Sequence, residues 1–145
     1  MENKATYKNT LPIQIRFSDV DVMGHVSNTM YQNYYDSGKL HYFDEVIPEM
    51  DFKTLGVVGA SIKIEYLKPV FLRTKILVET RVSHIGNKSM TMDHNLIDET
   101  TNEVLSTCKA VLVCYSIQEQ SSIPIPEKWK QNILAYDKDV IVKTK

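Results

Sequence analysis

The sequence predicts an α+β fold in which one long helix packs against an antiparallel sheet of about five strands. Three observations support this. A helical apolar periodicity occupies the first third of the chain, apolar and polar residues alternate through most of the remainder, and short turn-forming segments separate the alternating stretches. Consecutive strands joined by short turns pair antiparallel, and a single apolar helix covers one face of such a sheet.

The first element is a predicted strand at residues 11–17, where Ile13, Ile15 and Phe17 share one face. A polar loop follows at residues 18–27. It carries two aspartates, a glycine and a histidine, and it leads directly into the helical pattern.

The helix is expected from Asn28 to Phe43, because large apolar residues recur there at four-residue spacing. Ser27 or Asn28 is suited to the N-cap, where a side-chain oxygen accepts an early backbone amide. Gly38 lies in mid-helix, where glycine costs about 1 kcal/mol relative to alanine. We therefore expect another segment to approach the helix closely at Gly38.

Four further strands are predicted at residues 61–68, 75–82, 88–97 and 103–116, from their alternating apolar residues and the intervening turns. The last of these is apolar on both faces, which predicts a central position in the sheet. Pro124 and Pro126 end the sheet, and a short helix is expected from Glu127 to about Ala135.

Length and composition limit the possible classes. The chain has 145 residues, so residues 1–145 are interpreted as one domain. Its net charge is −1 with scattered cations, which favours neither nucleic acid nor a membrane surface as a partner. No apolar run approaches the ~18 residues of a membrane span, and the N-terminus lacks the apolar core of a signal peptide, so a cytoplasmic location is expected.

The cysteines and histidines indicate neither a disulfide nor a metal site. Cys108 and Cys114 lie six residues apart on one predicted strand, roughly 20 Å at ~3.3 Å per residue, which is too far for a disulfide. The four histidines show no metal-ligand spacing. No metal and no cofactor are therefore expected.

Residues 16–31 are the candidate catalytic segment, because a strand, a loop with carboxylates and a helix N-terminus follow one another there. The first amides of a helix are unpaired and carry roughly half a positive charge, which polarises a carbonyl and stabilises a developing oxyanion. A carboxylate in the loop beside these amides can activate water or attack directly, and Gly24 allows backbone to approach a ligand closely. Taken alone, an aspartate before a helix is more often a structural cap, and His25 is more often a hydrogen-bonded loop residue.

The same stretch resembles the signature of the 4-hydroxybenzoyl-CoA thioesterase family, within the hot-dog superfamily. The residues that carry the resemblance are Phe17, Asp19, Asp21, Gly24, His25, Val26, Asn28 and Tyr31. The likeness continues through residues 62–70, which resemble the family's second strand and its proline end, and through residues 82–89, which resemble its third-strand turn. It extends over roughly residues 11–116.

The resemblance implies a hot-dog fold, with one long central helix wrapped by a five-stranded antiparallel sheet, and an enzyme that hydrolyses an acyl-CoA to free acid and CoA. It implies Asp21 as the catalytic carboxylate, the Asn28 backbone amide as the oxyanion donor with His25 beside them, and Asp19 as a structural residue. The residues expected to contact substrate are Gly24, Tyr31, Arg73, Lys88 and Ser89, of which Arg73 and Lys88 are candidates to meet CoA phosphates. A homodimer or homotetramer with the site between protomers is also implied.

Two departures from the family pattern leave alternatives open. The helix carries Asp36, Ser37, Gly38 and Lys39 where the family often has Glu and then Arg, and residues 71–74 replace a usual Gly-Asp. A related subgroup uses a carboxylate on the helix, which makes Asp36 the second candidate catalyst. An acyl-carrier-protein thioesterase, a hydratase using Asp21 and His25, and a non-catalytic acyl-CoA-binding protein are the other functions considered.

Overall fold

A computed structural model describes residues 6–143 and shows one long helix lying against one sheet. The elements along the chain are β1 (Asn9–Ile13), a 3₁₀ turn (Phe17–Asp19), α1 (Asn28–Val46), β2 (Leu55–Tyr66), β3 (Ile76–Ile85), β4 (Ser89–Asp98), β5 (Val104–Ser116), β6 (Ser121–Ser122), α2 (Glu127–Tyr136) and β7 (Ile141–Val142). The predicted α+β class is confirmed, and α1 begins at the predicted residue.

The sheet has the strand order β1-β3-β4-β5-β2, with β6 added beside β5 and β7 beside β3. Every pairing is antiparallel except the short one between β7 and β3. The sheet therefore has seven strands rather than five, although the two additional strands have only two residues each. Residues 103–116 were predicted to form a central strand, and β5 does lie inside the sheet, with β4 on one side and β2 on the other. Because β2 pairs with the outer side of β5, the middle of the five-strand order is β4.

The first strand ends earlier than predicted. β1 stops at Ile13, and Phe17 lies in the 3₁₀ turn with its side chain 82% exposed. The turn forms because the Asp19 amide donates to the Arg16 carbonyl at 2.9 Å, while the Asp19 carboxylate accepts the Arg16 amide at 3.0 Å. These local bonds compete with extension of the strand.

Helix α1 is continuous through Gly38 and ends at Val46, one turn later than predicted. A Cβ built on Gly38 would lie 2.6 Å from Cγ1 of Val78 and 3.0 Å from Oγ1 of Thr80, both on β3. The expected close approach at this glycine is confirmed, and it sets how near the helix axis lies to the sheet.

The buried side chains between α1 and the sheet form two apolar clusters. One, near the start of α1, consists of Val26, Tyr31, Tyr34, Tyr35, Val70, Ile76, Val78, Leu96, Leu105 and Cys108. The other surrounds the second half of α1 and includes Tyr42, Phe43, Val46, Ile85, Met90 and Trp129. The first cluster supports the loop that carries the candidate catalytic residues.

A buried polar pair accompanies these clusters. Nδ1 of His94 lies 2.9 Å from Oγ1 of Thr80. Burial, with a smaller contribution from the charge of Lys39, lowers the pKa of His94 to about 3. The imidazole is therefore neutral in the folded protein at ordinary pH.

The C-terminal helix covers a gap in the sheet edge. Asp137, at the end of α2, accepts hydrogen bonds from the Tyr42 hydroxyl at 2.6 Å and from the Val82 amide at 2.9 Å. Val82 lies between the part of β3 that pairs with β1 and the part that pairs with β7. Asp137 thus supplies the acceptor that a neighbouring strand would supply. Among the described residues, no helix is long and apolar enough to cross a membrane.

Candidate active site

The loop before α1 folds back on itself as a small hairpin. Val20 and Val26 form an antiparallel bridge, and the Asp21 amide donates to the His25 carbonyl at 2.8 Å. The turn between them needs a glycine, because Gly24 has a φ of +80°, a value that side chains with a Cβ rarely adopt. A Cβ at this position would meet nothing within 4 Å, so conformation and not space requires the glycine.

Asp21 is held at this turn by its own backbone neighbours. Its Oδ1 accepts the Met23 amide at 2.9 Å and the His25 amide at 3.2 Å. Within residues 6–143, its Oδ2 accepts no hydrogen bond. The carboxylate is exposed, oriented by one oxygen and available through the other.

Asp19, unlike Asp21, is buried. It is 1% exposed, and its Oδ2 accepts the Tyr34 hydroxyl at 2.8 Å in addition to the Arg16 amide. Burial raises the pKa of Asp19, but the hydrogen bonds from the Arg16 amide and the Tyr34 hydroxyl outweigh it, so the net pKa is below the usual value. These contacts support the expected structural role of Asp19.

The start of α1 presents unpaired amides. Ser27 is the N-cap, but its hydroxyl lies 3.0 Å from Oγ1 of Thr29 and does not cap the helix. In the described part of the chain, the backbone amides of Asn28 and Thr29 donate to no protein acceptor, whereas the Met30 amide donates to the Ser27 carbonyl at 2.9 Å. Two free donors and the positive end of the helix dipole therefore lie together at Asn28.

A cavity of about 180 Å³ opens at this helix start, lined by His25, Val26, Asn28, Tyr31, Tyr66, Leu67, Lys68 and Pro69. Asp21 does not line the cavity. Its carboxylate accepts a hydrogen bond from the amide of His25, and His25 does line the cavity. The unpaired amide of Asn28 thus lies at a cavity that has a carboxylate beside its His25 wall. Such an arrangement polarises a carbonyl and delivers a nucleophile or base to it.

Aromatic contacts shape the cavity. The His25 ring meets the edge of Phe71 with centroids 4.9 Å apart, and the Tyr31 ring meets Tyr66 at 4.8 Å. The Tyr66 hydroxyl donates to the Asn28 carbonyl at 3.3 Å. Burial raises the pKa of Tyr31, with the neighbouring Tyr66 as a second cause, so the Tyr31 phenol is a neutral wall of the cavity.

Tyr66 and Lys68 were missed at the level of the sequence. Tyr66 ends β2, and the position of β2 beside α1 depends on its pairing with β5, which neighbouring residues do not encode. The available signal was the large aromatic just before Pro69, at the end of an alternating strand.

The expected substrate-contacting residues fall into two groups. Gly24 and Tyr31 lie at the site, and Arg73 lies near it in a turn closed by the Thr74 amide donating to the Phe71 carbonyl, where Phe71 forms a bridge with His25. Lys88 and Ser89 lie in or beside the β3–β4 turn, at the end of the sheet that packs against the second half of α1. Within one protomer they are remote from Asn28, since the ten-residue β3 spans roughly 30 Å at ~3.3 Å per residue.

A larger cavity of about 740 Å³ lies elsewhere, between Lys8 and the segment from Leu134 to Val140. It contains none of the predicted site residues, and no long helix begins there. Its size alone does not indicate a catalytic site. Within residues 6–143, no group of three or more His, Cys, Asp or Glu side chains is arranged to hold a metal ion.

The helix wrapped by an antiparallel sheet, with a carboxylate loop at the helix start, defines a hot-dog fold protein of the thioesterase type. Residues 15–133 match the model of the thioesterase-like superfamily, and the chain belongs to that superfamily.

Relatives extend over nearly the whole chain. It is similar to the YsmA protein of Bacillus subtilis, with 24% identity over 92% of this chain and 90% of that protein. The PA5185 protein of Pseudomonas aeruginosa superposes with a TM-score of 0.83 at 24% identity, over 92% of this chain and 94% of that one. A Thermus thermophilus thioesterase solved with coenzyme A and zinc gives a TM-score of 0.79 at 25% identity, over 90% and 94% of the two chains.

Proposed function

We propose that this protein hydrolyses an acyl-CoA thioester to the free acid and CoA, with Asp21 as the catalytic carboxylate and the Asn28 amide as the oxyanion donor. The observation that carries the proposal is that the Asp21 carboxylate is anchored on the amide of His25, which lines the same cavity as Asn28, whose own amide is unpaired. The likeness to a thioesterase bound to coenzyme A supports CoA as the carrier of the acyl group.

The chemistry follows from these groups. The thioester carbonyl oxygen accepts a hydrogen bond from the Asn28 amide, and negative charge that develops on this oxygen is stabilised by the bond and by the helix dipole. Asp21 either attacks the carbonyl carbon, giving a mixed anhydride and releasing the thiolate, or removes a proton from a water that attacks. In the first route a water then hydrolyses the anhydride and restores the Asp21 carboxylate, so both routes end in a carboxylic acid and free CoA.

Asp36, the alternative catalyst, lies eight residues beyond Asn28 on α1, about 12 Å along the axis at ~1.5 Å per residue. It is already engaged with Lys39, with Nζ and Oδ1 3.3 Å apart. Within one protomer this distance separates it from the helix-start amides. That geometry supports Asp21 over Asp36.

We also propose that two copies assemble through β2 and complete each other's site. In the described chain β2 pairs only with β5, so its other edge is free over twelve residues, and Val58, Ile62 and Tyr66 are 47%, 40% and 46% exposed there. Long exposed edges of this kind favour pairing with another chain.

Antiparallel pairing of two β2 strands would bring the β3–β4 turn of one copy to the end of the joined sheet where the other copy's α1 begins. Lys88 and Ser89 would then reach CoA bound to the opposite protomer, which they cannot do within their own. This proposal reconciles their expected role with their position at the far end of the sheet.

The decisive experiment compares Asp21→Asn with Asp36→Asn in a thiol-release assay over short, long and aromatic acyl-CoAs. Asn keeps the shape and removes the charge, so Asp21→Asn should lower kcat by at least ~100-fold while KM changes little. Asp36→Asn should be much milder. The reverse ranking would move catalysis to the helix carboxylate. If the protein hydrolyses acyl-carrier-protein thioesters and no acyl-CoA, the carrier of the acyl group is the protein and not CoA.

A further inference from the structure

A second cavity lies further along α1 than the candidate active site. It has a volume of about 230 Å³ and is lined by Gln32, Lys39, Gly59, Ala60, Ser61, Ile62, Ala110 and Leu112. Like the cavity at the helix start, it is bounded by α1 on one side and β2 on the other. At about 100° per residue, Asn28, Gln32 and Lys39 fall within roughly 40° of one another, so they share one stripe of the helix.

Lys39 is a largely buried cation in the lining of the second cavity. Its side chain is only 20% exposed, whereas that of its ion-pair partner Asp36 is 51% exposed. The strand side of the cavity offers small or apolar side chains, among them Gly59, Ala60 and Leu112. An ammonium group has three donors, and within residues 6–143 Lys39 donates only to Asp36. A largely buried cation with spare donors favours a further anionic or polar partner.

We propose that Lys39 selects acyl groups whose far end carries an anion, as in ω-carboxyl acyl-CoAs. This rests on the proposed thioesterase function, because the thioester carbonyl must lie at Asn28. Eleven residues separate Asn28 from Lys39, about 16 Å of helix at ~1.5 Å per residue, and helical side chains lean toward the N-terminus. A medium-length acyl chain that runs from the cavity at the helix start along the boundary between α1 and β2 would therefore meet the Lys39 ammonium at its far end.

The test compares pairs of substrates with equal carbon number. The ratio of kcat/KM for suberoyl-CoA to that for octanoyl-CoA, and for adipoyl-CoA to hexanoyl-CoA, should favour the carboxylated member in the wild type. Lys39→Met should lower the better of these ratios by about 10- to 100-fold, the range expected for a hydrogen bond to a charged group. Asp36→Asn should raise the ratio, since it removes the competing carboxylate.

Lys63→Met is the matched control. Lys63 lies on β2 but lines a different cavity, with Asp93 and Lys109. Its loss removes the same charge and should leave the substrate ratios unchanged. A wild type that prefers the uncarboxylated substrates, or a Lys39→Met variant that keeps the wild-type ratio, overturns the assignment of Lys39.

Failure of the proposed function is separated from failure of this inference by a binding measurement. Octyl-CoA and 7-carboxyheptyl-CoA thioethers cannot be hydrolysed, so calorimetry reports their Kd whatever the turnover. Tighter binding of the carboxylated thioether, lost in Lys39→Met, supports the inference even if no thioester is cleaved. Equal Kd values for the two thioethers in the wild type refute it even if hydrolysis is fast.

Discussion

The close contact between Gly38 and β3 decides whether Gly38→Ala stabilises or destabilises the protein. In an exposed helix, Gly→Ala stabilises by about 1 kcal/mol. Here the added methyl would lie 2.6 Å from Cγ1 of Val78 and 3.0 Å from Oγ1 of Thr80. Overpacking of this kind costs about 1–3 kcal/mol. Gly38→Ala should therefore lower the free energy of unfolding by between zero and about 2 kcal/mol.

A double-mutant cycle with Val78→Ala isolates this contact. Val78→Ala removes the nearest atom and leaves only the Val78 Cβ, at 3.4 Å, from the same side chain. In that background Gly38→Ala should be less destabilising than in the wild type, because the helix preference remains and the closest clash is removed, although Thr80 Oγ1 at 3.0 Å is still present. The coupling energy between the two sites should be about 0.5–3 kcal/mol and favourable.

Urea denaturation followed by circular dichroism, at one fixed protein concentration, measures all four species. The concentration matters because assembly contributes to apparent stability. If Gly38→Ala stabilises the wild-type background by about 1 kcal/mol, the helix does not approach β3 as described. A coupling energy near zero would lead to the same conclusion.

Three further predictions concern the site, the core and the assembly. Asn28→Pro removes a helix-start amide at a position that tolerates proline, and it should lower kcat by roughly 10²–10³-fold in a folded protein. Asn28→Ala keeps the backbone amide and should keep most of the activity. An inactive, folded alanine variant would assign the role to the Asn28 side chain. Because His94 has a folded pKa of about 3 against ~6.5 unfolded, the unfolded chain binds an extra proton below pH 6.5. Stability should fall by up to about 1.4 kcal/mol per pH unit as the pH is lowered from there, and urea titrations of His94→Gln at pH 7 and pH 5 should show a smaller loss than the wild type. Light scattering at micromolar concentration should give a multiple of 16.7 kDa, and a monomer would contradict pairing through β2.

Local pattern was sufficient for most elements, and the failures have physical causes. The start of α1 and the β3, β4 and β5 strands were predictable, because spacing of apolar residues and turn chemistry are local properties. Strand order was not, since the pairing of β2 with β5 joins residues far apart in the chain. The same non-local pairing places Tyr66 at the helix start. The early end of β1 was missed because the hydrogen bonds of Asp19 outweigh a periodicity that includes Phe17.

The two aspartates of the loop show how one short segment produces both a buried scaffold and an exposed, oriented carboxylate. Asp19 is buried, and it joins three separate parts of the chain: its carboxylate accepts from Arg16 and from Tyr34 on α1, and its carbonyl accepts from the Ser27 amide at 2.9 Å. These bonds fix where the loop leaves the sheet and where the helix begins. Asp21, two residues later, can then remain exposed without being mobile, since local amides hold one of its oxygens. Loss of Asp19 would therefore misplace the carboxylate and the helix amides together, although Asp19 touches neither.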